Sequence, residues 1–271
     1  MRTYQKINFV FITILTCAIL GSLSVQPAQA QEVHYYAGYT FNYNPYTGQF
    51  VYNSHVPGVY GQIITIDPNV PNPTTNVFCE WVTMVLSYSV SNWVQIGYSK
   101  GGLTLYPYYS GLRYYVEVNT TNYYAQILSG QPDLYIWRNY PETVYHHKFL
   151  TTSSGQPANG EWHSYATRHP VELSWETPPS TNQKEFRFYK DNMGLAWETF
   201  TDILPTTIVD AQAFAETTST SISITGTHFR ELHIYDTQLY YYYWNHHIAC
   251  VTAPYTLTQT SDNQFYANGG G

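Results

Sequence analysis

Phe78-Cys79-Glu80-Trp81-Val82-Thr83-Met84-Val85 and, after a serine-rich break, Trp93-Val94-Gln95-Ile96-Gly97-Tyr98 are the two runs that decide the fold. Both are short, rich in β-branched and aromatic residues, and bounded by turn-forming text, which is how strands read. In a strand, alternate side chains share a face, so Trp93, Gln95 and Gly97 point the same way. The run Ala211-Gln212-Ala213-Phe214-Ala215-Glu216-Thr217-Thr218 behaves alike, with Gln212, Phe214 and Glu216 on one face. Outward from these runs the same pattern repeats, at about 34–41, 58–66, 114–119 and 227–235, separated by Gly, Pro, Asn and Ser. Helical periodicity is almost absent. The expected fold is all-β, an antiparallel sandwich or barrel. No fixed period recurs, which disfavours propellers and solenoids.

Composition narrows the function classes. Charged residues are 11% of the 271, and aromatics 18%, with 29 tyrosines. A disordered chain is charge-rich and aromatic-poor. A nucleic-acid binder needs a basic surface, whereas 18 Asp+Glu against 11 Lys+Arg give a net charge of −7. Nucleic acid is therefore not an expected partner.

The first 30 residues read as a secretory signal peptide. Arg2 and Lys6 precede an apolar run from Phe9 to Val25, and Ala28-Gln29-Ala30 is a small-x-small cleavage site. Secretion is the expected localisation, and no other segment is long and apolar enough for stable membrane insertion. Residues 31–57 read as a tyrosine-rich hairpin extension turning at Asn44-Pro45-Tyr46-Thr47-Gly48, and 58–271 as one β-sandwich domain. Residues 151–170 read as a polar loop, within a longer insertion over about 139–170. Cleavage leaves two cysteines, Cys79 and Cys250, which an oxidising compartment would join as a disulfide. The alternative is two buried thiols.

Metal chemistry has little support. The adjacent pairs His146-His147 and His246-His247 would point to opposite faces of a strand, and neither HExxH nor CxxC occurs. No metal and no other cofactor is expected. No G-x-S-x-G nucleophile motif is present either. What stands out is Gln95 and Glu216, each a polar residue interrupting an otherwise apolar or small strand. A carboxylate on such a face needs a solvated cleft or a partner. One reading makes the two a catalytic pair; the other pairs Glu216 with an arginine and Gln95 with a backbone carbonyl.

Several segments resemble a known family. Phe78 to Tyr98, with Trp81-Val82 followed by Gln95-Ile96-Gly97, resembles the glutamic peptidases of the fungal acid type, in which a W-V-G-I strand precedes a Q-T-G strand. Ala215-Glu216 resembles the G-G-E-V segment of neprosin-like proteins, and Ile224-Thr225-Gly226-Thr227-His228-Phe229 their M-G-S-G-H-F. Val59-Tyr60-Gly61-Gln62-Ile63-Ile64-Thr65-Ile66 and Asn69-Val70-Pro71 resemble their lead-in strand and turn.

The resemblance implies a concanavalin-like, jelly-roll-like β-sandwich with Gln95 and Glu216 as catalytic dyad. Glu216 would act as general base toward water and Gln95 as oxyanion donor, cleaving peptide bonds in acid. Trp93, Tyr98, Tyr115 and Phe214 would line substrate subsites, with Glu117 nearby tuning Glu216. The fungal pattern A-E-x-x-x-E lays Gln212 on the first Glu and Glu216 on the second. Residues four apart on a strand lie about 13 Å apart, so only one of them can face Gln95. A Gln95/Gln212 pair would point away from a peptidase. The expected partner is a peptide or protein substrate. The alternative is a non-catalytic module that binds glycan or a cell-surface partner through its aromatics.

Overall fold

The computed structural model describes residues 33–50, 56, 58–87, 92–101, 111–119, 125–128, 134–139, 146–151, 156–168, 184–200, 210–235 and 240–271. The expected signal peptide at 1–30 lies outside them. The strands are β1 (Tyr35–Thr40), β2 (Tyr43–Asn44), β3 (Gln49–Phe50), β4 (Gly58–Ile64), β5 (Val77–Ser87) and β6 (Asn92–Gly101). Then come β7 (Arg113–Asn119), β8 (Ala125–Leu128), β9 (Leu134–Asn139), β10 (His146–Thr151), β11 (Trp162–Arg168), β12 (Lys184–Lys190) and β13 (Met193–Phe200). The last are β14 (Asp210–Thr217), β15 (Thr227–Tyr235), β16 (Tyr241–Tyr243), β17 (Ile248–Val251), β18 (Thr256–Ser261) and β19 (Gln264–Asn268).

These strands form an all-β antiparallel sandwich of the expected concanavalin-like kind. The front sheet runs β17-β1-β14-β5-β6-β7-β10-β9. The back sheet runs β18-β19-β15-β4-β11-β12-β13-β8, with β16 added to β15. Strict alternation builds the core between them. From the front sheet come Val82, Val94, Ile96, Val116 and Ala213; from the back come Val59, Ile63, Phe186, Phe229 and Phe265. All of these are fully buried, so each removes its whole apolar surface from water, worth roughly 1.5–3 kcal/mol for the larger ones.

A β-bulge at Glu231, whose φ is 55°, sets the back sheet. Between Arg230 and His233 the strand gains one residue relative to β4. The extra residue turns Leu232 inward, where it is fully buried.

One carboxyl lies inside the sandwich. Glu80, on β5, takes hydrogen bonds from Thr227 Oγ1 of β15 and from the Tyr98 hydroxyl at 2.7 Å. Tyr98 Oη in turn accepts the Ile66 N–H at 2.9 Å. Burial pushes the Glu80 carboxyl up to about 8, against the opposing pull of those two hydrogen bonds. It is therefore a neutral acid across the acidic range, bridging the sheets.

Four expectations change. Tyr35–Thr40 is not an appended hairpin strand but sits inside the front sheet between β17 and β14, while the turn at 44–48 does join β2 to β3. The polar stretch 151–170 contains β11, whose alternate residues His163 and Tyr165 face inward while Trp162 and Ser164 face out. β11 lies between β4 and β12, and β10 lies between β7 and β9, so this region builds both sheets. Cys79 and Cys250 form no disulfide. They stand on β5 and β17, three strand spacings apart in one sheet, or about 14 Å, twice the reach of a disulfide. Tyr98 faces the core rather than a subsite, as its contact with Glu80 shows.

Candidate functional site

The outward face of the front sheet carries the polar residues, and register places them in rows. One row runs Thr40–Gln212–Thr83–Gln95–Glu117 across β1, β14, β5, β6 and β7. The next runs Gly38–Phe214–Trp81–Gly97–Tyr115, and a third Tyr36–Glu216–Cys79–Ser99–Arg113. On the other side of the Gln95 row, Trp93 stands between Val85 and Asn119. Every one of these rows is drawn from alternate residues of regular strands, which is why the sequence commits them to one face.

Gln95 is held by three neighbours. Its Oε1 accepts the Thr83 hydroxyl at 3.0 Å. Its Nε2 donates to Glu117 Oε2 at 3.0 Å and to the Tyr115 hydroxyl at 3.1 Å. The Thr83 bond orients the amide, since a hydroxyl donating to the oxygen leaves the NH2 turned toward β7. Gln95 and Glu117 are 4% and 5% exposed, so their contact is made in a largely dry environment where such a bond is strong.

Glu216 belongs to a different group. Its Oε2 accepts Trp81 Nε1–H at 2.8 Å and the Cys79 thiol at 3.6 Å, and its Oε1 meets His34 Nδ1 at 2.5 Å. Gln95 and Glu216 thus share a face, as expected, but are not brought together. Two strand spacings and four residues separate them, about 10 Å across and 13 Å along the strand. The residue in the Gln95 row on β14 is Gln212, whose Nε2 lies 3.4 Å from Asp210 Oδ2. Asp210 Oδ1 also receives the Asn42 N–H at 2.5 Å.

Tyr115 links the two groups. Its hydroxyl reaches Gln95 on one side and Cys79 on the other. Burial first, then the electrostatic influence of Cys79, Glu117 and Glu216, holds its phenol well above the usual range. Tyr115 therefore stays a neutral phenol, and its oxygen accepts the Gln95 N–H.

Aromatic rings surround the polar centre. Phe214 packs on Trp81 at 5.2 Å between centroids and edge-on to Tyr36 at 5.9 Å. Gly97 keeps the floor low between Trp81 and Tyr115. A Cβ there would stand 1.9 Å from the Glu80 carbonyl oxygen, so only glycine lets β5 and β6 lie at this spacing.

Of the expected site residues, Trp93, Gln95, Tyr115, Glu117, Phe214 and Glu216 occupy this face. Glu117 touches Gln95 rather than Glu216. Thr83, Trp81, Asp210 and His34 also belong here, although the sequence did not single them out. The signal for Thr83 and Trp81 was available: they alternate with Cys79 on the strand preceding Gln95. Among the described residues, no group of three or more His, Cys, Asp or Glu side chains converges to hold a metal ion.

No family model matches this chain, and no curated protein matches it. Solved structures do. A scytalido-glutamic peptidase with a transition-state-analogue inhibitor is similar over 87% of this chain and 98% of its own, at 7% identity and TM-score 0.47. SCP-B, a member of the eqolisin family of peptidases, solved with a tripeptide, covers the same shares at 7% identity and TM-score 0.43. The β-porphyranase BpGH16B from the gut bacterium Bacteroides plebeius covers 67% of this chain and 63% of its own, at 12% identity and TM-score 0.23.

Proposed function

We propose that the outward face of the front sheet binds an extended polypeptide and that Gln95 with Glu117 hydrolyses it, in the manner of a glutamic peptidase working in acid. The observation that carries this reading is the 3.0 Å contact between Gln95 Nε2 and Glu117 Oε2. One side chain is a carboxylate able to take a proton, the other an amide donor with its orientation fixed by Thr83. A water hydrogen-bonded to Glu117 beside the pair attacks the scissile carbonyl, while Gln95 Nε2 turns from Glu117 toward the carbonyl oxygen. Glu117 takes the proton and returns it to the leaving amine. Gln95 then donates to the oxyanion, a contribution typically worth about 3–4 kcal/mol. Trp81, Trp93 and Phe214, all buried, wall the polar pair and keep it dry. Glu216 has no part in the proton transfer and, with His34 and Trp81, fixes the neighbouring row.

The test is hydrolysis of acid-denatured protein by wild type, Glu117→Gln, Gln95→Ala and Glu216→Gln. Loss in the first two with retention in the third supports the Gln95–Glu117 assignment. Full activity in Glu117→Gln removes it.

Two observations favour a second reading, a non-catalytic polypeptide-binding module. Gln212, not a carboxylate, occupies the β14 place in the Gln95 row. Gln95 and Glu117 are also almost fully withdrawn from solvent. In that case wild type hydrolyses nothing yet retains binding to denatured protein.

A further inference from the structure

The back sheet has an outward face of its own, remote from Gln95, and its composition is unlike the rest of the chain. Register places Tyr266, His228, Ile64 and Trp162 in one row across β19, β15, β4 and β11. Arg230 and Gln62 follow in the next. Beyond the bulge, Tyr235, Gly58, Arg168 and Arg187 form another. None of these positions is Asp, Glu or Lys, although the chain has 18 Asp+Glu and a net charge of −7. Three arginines therefore meet on one face of an acidic protein.

Two of them, Arg230 and Arg168, lie over aromatic rings. Arg230 Cζ lies 3.7 Å over the Trp162 ring, and its Nε donates to Gln62 Oε1 at 2.8 Å. Arg168 Cζ lies 4.3 Å over Tyr189 and 5.9 Å from Tyr235. Gly58 permits this packing: a Cβ there would meet the Tyr235 ring at 2.7 Å and Arg168 Cβ at 2.8 Å. A guanidinium laid flat on a ring is held in place at little further entropic cost, and its edge still offers N–H donors in a fork that fits a carboxylate or sulfate. His228 stacks on Tyr266 at 3.8 Å and meets Trp162 edge-on at 4.8 Å. Tyr266, on β19 between β18 and β15, is 37% exposed.

We propose that this face binds an acidic polysaccharide. Sugar rings lie against Trp162 and Tyr266, and their acidic groups are taken by Arg230 and Arg168. The chemistry favours a glycan over single-stranded nucleic acid. A nucleic acid carries a charge on every residue and needs a continuous basic groove, whereas here charges are few and separated by aromatic surface. Flat stacking surfaces with widely spaced forks suit a chain of rings bearing occasional carboxylates or sulfates.

Affinity electrophoresis of the full chain tests this, with polygalacturonate, dextran sulfate or neutral dextran cast in the gel. Wild type is expected to be retarded by at least one of the two acidic polymers and not by dextran. Which of the two retards it tells carboxylate from sulfate recognition. Arg230→Gln with Arg168→Gln should weaken retention about ten-fold, as loss of two charge-assisted bonds would. Raising NaCl from about 50 to about 500 mM should weaken it comparably, because these charges are near the surface. A second variant separates stacking from charge: Tyr266→Ala, an exposed position outside the core, should weaken retention while keeping the salt dependence. Equal mobility of wild type in all three gels overturns the proposal, as does equal retention of wild type and the Arg230/Arg168 variant with both confirmed folded by circular dichroism. Tighter binding to single-stranded DNA than to either acidic polysaccharide also overturns it.

Discussion

Gln212 and Gln95 stand in one cross-strand row, two strands apart, with Thr83 between them. The base, if hydrolysis occurs, must then come from the other side of Gln95, where Glu117 is already bonded to it. Two substitutions follow from this arrangement. Glu117→Gln should lower acid proteolysis by about 100-fold or more, in line with loss of a general base. Gln212→Glu should leave the rate within about two-fold, since Thr83 keeps position 212 two strand spacings, about 10 Å, from Gln95. A large gain in Gln212→Glu, measured as initial rate on acid-denatured substrate, would transfer the base to β14.

Glu80 should favour the folded state most in acid. The Glu80 carboxyl is raised from 4.5 to about 8 in the folded chain by burial. A raised acid favours the folded state fully below its unfolded value, and that advantage is lost as pH rises through the folded value. The Glu80 contribution to stability should therefore fall between about pH 4.5 and 8, by at most about 5 kcal/mol, against the opposite pull of His228, His233 and His246, which burial holds neutral. Glu80→Gln should flatten this dependence, because its amide has no proton to lose. An unchanged slope in Glu80→Gln, by thermal melts across that range, would assign the pH dependence elsewhere.

The two cysteines should remain separate. Cys79 and Cys250 lie on strands three places apart in the front sheet. Alkylation after unfolding, without reductant, should label both, and peptide mass spectrometry should show no Cys79–Cys250 link. The melting temperature should not move on adding a reducing agent.

Gly97→Ala should be among the most damaging single substitutions. The added methyl meets the Glu80 carbonyl oxygen at 1.9 Å and Trp81 Cα at 2.8 Å, both backbone atoms that cannot step aside. Parting β5 from β6 costs their ladder, and a loss of about 3 kcal/mol or more is expected from denaturant midpoints. Gly194→Ala, with nothing within 4 Å of the new methyl, is the control and should be near neutral.

Alternation made the architecture legible in the sequence. The runs at 78–88, 93–99, 114–119 and 212–217 all became strands of one sheet, and their odd or even residues chose the core. The pairing of those strands was not legible. β5 lies between β6 and β14, so Gln95 and Glu216, which share a face, are parted by a strand whose position no local pattern specifies. Tyr98 shows the cost of ranking residues by type: it is three residues from Gln95, and an odd separation sends it to the other face. Glu80 was hidden for a related reason. Its two partners, Thr227 and Tyr98, come from different sheets, and the distance from Glu80 to Thr227 is 147 residues of chain.

The place of β1 bears on how the molecule is made. Ala37 pairs with Val251 on one side and with Ala215 on the other, and the Tyr36 N–H reaches Thr252 across 216 residues. β1 comes first among the described strands, and its partners β14 and β17 are made only much later in the chain. The front sheet therefore closes only after β17 has been made, and its folding is dominated by long-range pairing. Until then the outward rows around Gln95 lack their β1 edge, so any activity they support is withheld from the growing chain.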